Sequence, residues 1–86
     1  MDYDSIRAIE QCFCNEYDAG CENCPMSKYR ISEKFAVCYY ANNPYGSTEK
    51  QVNQFLAVAR GNWNHEWDWR LNNAARKILG IKAKVV

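Results

Sequence analysis

Eighty-six residues allow a single domain. A chain this short buries only about 60–65 % of its unfolded surface, so its core alone is marginal and a further staple is expected. With 48 % hydrophobic, 24 % charged and 14 % aromatic residues it is a globular chain and not a disordered tail. A formal net charge of +1 argues against a strong general nucleic-acid binder, and no apolar run reaches the roughly 18 residues of a membrane span.

The acidic start MDYDSIRAIE lacks the apolar stretch of a secretory signal, so a cytoplasmic protein is expected. Residues 1–26 carry six acids (Asp2, Asp4, Glu10, Glu16, Asp18, Glu22) against Arg7, while 27–60 and 61–86 each carry five bases and two acids. A solvated surface of mixed sign accounts for this asymmetry, and an acidic front can also steer a partner.

In chain order, residues 3–11 predict a short helix capped by Asp2 or Asp4, with Ile6, Ile9 and Phe13 on one stripe. A cysteine loop over 12–27 follows. Four of the five cysteines, Cys12, Cys14, Cys21 and Cys24, fall in it as C-x-C-x6-C-x2-C. Clustered thiols in an intracellular chain point to a metal rather than to disulfides, and an odd count pairs poorly. Zinc takes four soft donors in a tetrahedron with Zn–S near ~2.3 Å; a closed site of this kind stabilises without doing chemistry. Such an ion would supply folding free energy that the small core lacks.

The step Cys21-Glu22-Asn23-Cys24 turns two thiolates onto one ion, and Pro25 fixes its exit. Cys12 and Cys14 share a face in an extended strand, and can also converge at a frayed helix end. The expected ligands are therefore Cys12, Cys14, Cys21 and Cys24, with Cys38 as a replacement for Cys12 or Cys14; a buried core thiol is the plainer role for Cys38. Free buried cysteines and an iron–sulfur cluster are the alternatives to zinc, although the spacing does not match ferredoxin runs. His65, the one histidine, lies far along the chain and is not expected among the ligands.

Lys28–Ser32 and Phe35–Tyr40 are rich in β-formers and predict a small hairpin turning at Glu33-Lys34; a helix over 33–41 capped by Ser32 competes with it. Asn42–Gly46 reads as a loop. A helix over 48–60 starts at a capping box, Thr48-x-x-Gln51, buries Val52, Phe55, Leu56 and Ala59, and stops at Gly61. Asn62 caps a second helix over 63–79, with Trp63, Trp67, Leu71, Ala74, Ala75, Ile78 and Leu79 inward, and Gly80 ends it. Ile81–Val86 alternates apolar residues with Lys, as a tail or edge strand does. The expected architecture is one α+β, mostly helical domain over 1–86: a short N-terminal helix, a cysteine zinc loop, a small β-hairpin and a C-terminal αα-hairpin.

On a continuous second helix Trp69 projects opposite the apolar stripe, with His65, Glu66, Asn73 and Arg76 on its side. An exposed Trp beside Arg has the composition of a protein-binding hot spot, so Trp69, Arg76, Asn73 and His65 are the candidate partner face; packing of Trp69 on the zinc loop is the alternative. The helix pair with its Gly turn is also the layout of a helix-turn-helix, with Arg70, Asn72, Asn73, Arg76 and Lys77 in reach of DNA. Arg70, however, falls where that family wants an apolar residue. An enzyme is not expected: there is no Ser, His and acid set, no Gly-rich phosphate loop, and four thiolates leave a zinc ion no open position.

The stretch Cys21-Glu22-Asn23-Cys24-Pro25-Met26-Ser27-Lys28-Tyr29-Arg30 resembles a motif of small bacteriophage proteins, which carry an Ile-Arg step, paired Cys and then C-P-[LM]-x-x-Y-R. Ile6-Arg7, Cys12, Cys14, Cys21, Cys24 and Tyr29-Arg30 occupy similar places, over about a quarter of the chain. The Cys12-x-Cys14 spacing and the C-terminal half depart from that pattern. The resemblance extends to anti-CRISPR inhibitors, which are compact, non-catalytic and in some cases metal-bearing. It implies stoichiometric binding to a host defence protein, a type II CRISPR effector nuclease above all, in the bacterial cytoplasm, and a block on guide or target DNA.

Overall fold

The computed structural model describes residues 2–18 and 20–84. Helix α1 spans Tyr3–Glu16. Asp2 caps it, accepting from the Ser5 backbone N–H at 3.1 Å and from Ser5 Oγ at 2.7 Å. These bonds hold the Asp2 carboxyl below its usual pKa. The helix runs past its predicted end at residue 11 because Cys12 and Phe13 continue the buried stripe of Ile6 and Ile9. Cys12 and Cys14 therefore sit on a helix and not in a loop.

Two 3₁₀ turns, Cys21–Asn23 and Pro25–Lys28, carry the chain onward, and Met26 plugs the core beneath them. The predicted β-hairpin does not form. Among the described residues the β pairing is a single antiparallel bridge between Arg30 and Ala36. Ser32 Oγ accepts from the N–H groups of Lys34 and Phe35, which closes the turn locally. The chain then enters helix α2, Cys38–Asn42. Its period explains the correction. Val37 and Ala41 are buried while Tyr39 between them is exposed, whereas a strand would place all three on one face. The domain is thus mostly helical, with no strand among the described residues.

After a 3₁₀ turn over Pro44–Gly46 comes helix α3, Glu49–Gly61. Its capping box is complete: Gln51 N–H donates to Thr48 Oγ1 at 3.2 Å and Thr48 N–H to Gln51 Oε1 at 2.8 Å. Val52, Phe55, Leu56 and Ala59 are buried as expected.

The predicted helix over 63–79 breaks in two. A 3₁₀ helix covers His65–Arg70, Leu71 and Asn72 are extended, and helix α4 covers Asn73–Leu79. Asn64 and Asn72 are the cause. Their side-chain oxygens accept from the N–H groups of Glu66 (3.0 Å) and Ala75 (2.8 Å), so each starts a new segment instead of continuing the old one. Trp67 and Leu71, on either side of the change in backbone, are both buried in the core. The αα-hairpin is therefore α3 with a shorter α4. Gly80, at φ +84°, ends α4 in the left-handed region. Arg60 bridges the two helices, donating from Nε to the Leu79 carbonyl at 2.7 Å and from Nη2 to that of Ile78 at 3.2 Å.

The core joins Ile6, Ile9 and Phe13 of α1 to Val52, Phe55 and Leu56 of α3, and to Leu71, Ala75 and Leu79. Phe13 meets Trp67 and Trp63 edge-on, with centroids 5.1 and 5.8 Å away. Residues 81–84 form no strand, and Val85 and Val86 of the expected edge strand lie outside the described residues. No helix is long and apolar enough to cross a membrane.

Candidate functional site

A cavity of about 710 Å³ lies between the last turn of α1, the two 3₁₀ turns and the start of α2. Cys14, Cys21, Cys24 and Cys38 line it, and Cys12 does not. Helix geometry accounts for the split. At ~100° per residue, Cys12 and Cys14 point some 200° apart, so they cannot act as a pair on one ion. Cys12 is 3 % exposed and packs in the core beside Ile9 and Phe13, whereas Cys14 is exposed on the other flank. The expected ligand Cys12 thus faces away from the other thiols, and the alternative, Cys38, faces them.

The Cys21–Cys24 turn is already made: Cys24 N–H donates to the Cys21 carbonyl at 3.0 Å, and the Cys24 carbonyl accepts from Ser27 N–H at 3.0 Å and Ser27 Oγ at 2.8 Å. Glu10 adds a feature the sequence reading missed. The residue is 3 % exposed, and its carboxylate accepts from Cys14 Sγ at 2.9 Å and from Gln11 Nε2 at 3.1 Å. Helical spacing from Glu10 to Cys14 was the available signal, but it counts only once α1 is known to reach residue 16.

The four thiols share one electrostatic neighbourhood. Although Cys14 is exposed as a residue, partial desolvation of its sulfur at the cavity wall pushes the thiol up to about 12, and its hydrogen bond to Glu10 and the charges of Glu10, Cys38 and Cys21 add to the effect. Burial is likewise the main cause that raises Cys24 and Cys38, followed for Cys38 by Glu10, Cys24 and Cys21. Cys12 is also raised by burial, but the neighbouring charge it feels is that of Arg70. All five cysteines are free thiols. Among the described residues no three His, Cys, Asp or Glu side chains stand close enough to hold an ion without rearrangement. Four sulfurs around one cavity are nonetheless the donor set that zinc takes.

The proposed partner face divides as well. Trp69 is 69 % exposed, and the Arg70 guanidinium lies over its ring, 5.2 Å from the centroid. Arg70 also reaches Glu16 of α1 at 3.9 Å. Lys84 ties Asn73 to this face, donating from its N–H to Asn73 Oδ1 at 2.8 Å and from Nζ to the Trp69 carbonyl at 3.2 Å. His65 is exposed but turns toward Asp68, 3.7 Å away. Arg76 is not on the surface. It is 8 % exposed, and its guanidinium donates to the carbonyls of Asp68 (2.6 Å), Lys82 (2.8 Å) and Leu71 (3.4 Å). Those bonds withdraw Arg76 both from a partner face and from a set of DNA-contacting side chains.

Comparison with protein-family models, with curated proteins and with solved structures finds no match to this chain.

Proposed function

We propose that this chain is a non-catalytic binding protein of the phage-inhibitor type, stapled by a structural zinc ion. It acts by stoichiometric occupation of a host defence protein. The partner implied by the sequence resemblance is a type II CRISPR effector nuclease, and binding blocks target DNA loading or cleavage. The observation that carries the reading is Trp69, a large aromatic left in solvent beside Arg70, Asn73 and Lys84. Trp and Arg dominate the residues whose truncation costs binding most. Cysteine thiols around a cavity with no His, hydroxyl and acid set beside them suit a staple better than a catalyst.

The test is a titration of an effector nuclease and guide complex with the full chain. Cleavage is expected to fall in proportion to added protein and to stop near equimolar ratio. Trp69→Ala with Lys84→Ala should restore cleavage and leave the melting curve unchanged, since both side chains are exposed. Full cleavage in excess wild-type protein removes the reading; inhibition by the double variant moves the binding face elsewhere.

A further inference from the structure

We infer that Cys14, Cys21, Cys24 and Cys38 form one closed tetrathiolate site for a zinc ion, and that Cys12 is a core side chain outside it. The assignment deepens the stapled-binder reading and rests on its structural-zinc part. It draws on the topology of the cavity. The four thiols come from three segments, the last turn of α1, the 3₁₀ turns and the first residue of α2, and they face one cavity, while Cys12 faces the core. Glu10, 3 % exposed, lines the same cavity and accepts from Cys14 Sγ at 2.9 Å.

Loading is a ligand exchange with no redox change. Four S–H bonds give up their protons to solvent, four Zn–S bonds form, and the hydrated ion loses its waters. The formed Cys21–Cys24 turn supplies two sulfurs from a fixed backbone. Cys14 and Cys38 must close in on that pair for the ion to be held, since among the described residues no three donors already stand within reach of one ion. With four sulfurs bound the ion has no open position, so the site is structural.

The experiment uses the full chain purified without added metal, then titrated with zinc and separately with cobalt(II), whose visible spectrum reports the donor set. The wild type should bind one zinc in native mass spectrometry and give a four-sulfur cobalt spectrum. Cys12→Ala should keep both. Cys38→Ser should weaken zinc binding by roughly a hundredfold or more. Because Cys38→Ser risks unfolding, Cys38→His is the second variant. It should hold one ion and shift the cobalt spectrum to that of three sulfurs and one nitrogen. Loss of the ion in Cys12→Ala, or an unshifted spectrum in Cys38→His, overturns the ligand assignment and leaves a zinc-stapled binder standing. A wild type that takes up no metal overturns the assignment and the staple together, while inhibition of a nuclease is scored independently.

Discussion

Arg76 shows what a single side chain can do here. Its guanidinium satisfies three backbone carbonyls from three places in the chain: Asp68 in the 3₁₀ helix, Leu71 at the break and Lys82 beyond α4. It thereby holds the C-terminal segment against the turn that precedes α4. Arg76→Ala leaves those carbonyls short of donors at a buried position, and each lost charge-assisted bond costs about 1–3 kcal/mol. We expect Arg76→Ala to destabilise the protein by roughly 3 kcal/mol, seen as a drop in Tm, and Arg76→Lys to recover only part of it. A melting curve unchanged in Arg76→Ala would show that the guanidinium carries no structural role. The sequence hid this role, because Arg76 shares the side of Trp69 only on an unbroken helix. Glu10 was hidden for a related reason: an isolated acid in an acidic segment says nothing until helix α1 sets it one turn before Cys14.

Among elements, those with side-chain punctuation were legible. Thr48 and Gln51 announced α3 because both halves of a capping box are local, and Gly80 announced the end of α4 because only glycine takes its left-handed backbone cheaply. The elements that failed depend on competition between periods. Phe35–Tyr40 has strand propensity, yet burial of Val37 and Ala41 one helical turn apart selects α2. Cys12-x-Cys14 looks like a convergent pair only if the chain is extended there. The 63–79 segment has a continuous apolar wheel, yet Asn72 interrupts it by bonding the Ala75 N–H. The cap at Asn72 is thus worth measuring. Asn72→Ala should cost about 1 kcal/mol, or about 4–8 °C in Tm for a chain of this size, while Asn72→Asp should be tolerated. Equal stability in the alanine variant would mean that packing of Trp67 and Leu71, rather than the cap, sets the break.

At the scale of the whole molecule the two halves are held by different forces. From residue 20 to 37 the described chain has two 3₁₀ turns and one isolated bridge, and it sends only Met26 and Val37 fully into the core. Helices α1, α3 and α4, with Ala41 of α2, Trp67 and Leu71, supply the rest of the buried core. The cysteine cavity is the junction between them, since it joins α1 to α2 across that irregular stretch. A zinc ion there would cross-link segments that apolar burial alone holds weakly. At free zinc a thousandfold above its Kd the linkage is worth about 4 kcal/mol, which for this length is roughly 15–30 °C in Tm. Chelation of the metal-loaded protein should therefore lower Tm by that amount. Amide exchange should locate the loss. Protection over residues 21–37 should disappear first, and the α3 amides around Val52–Leu56 should be the last to exchange, because they close the core that needs no ion. Chelation that leaves the melting curve unchanged would show that the apolar core carries the irregular stretch without help. A loss of protection spread evenly over α3 and the cysteine segment would instead mean that the ion and the core fold as one cooperative unit.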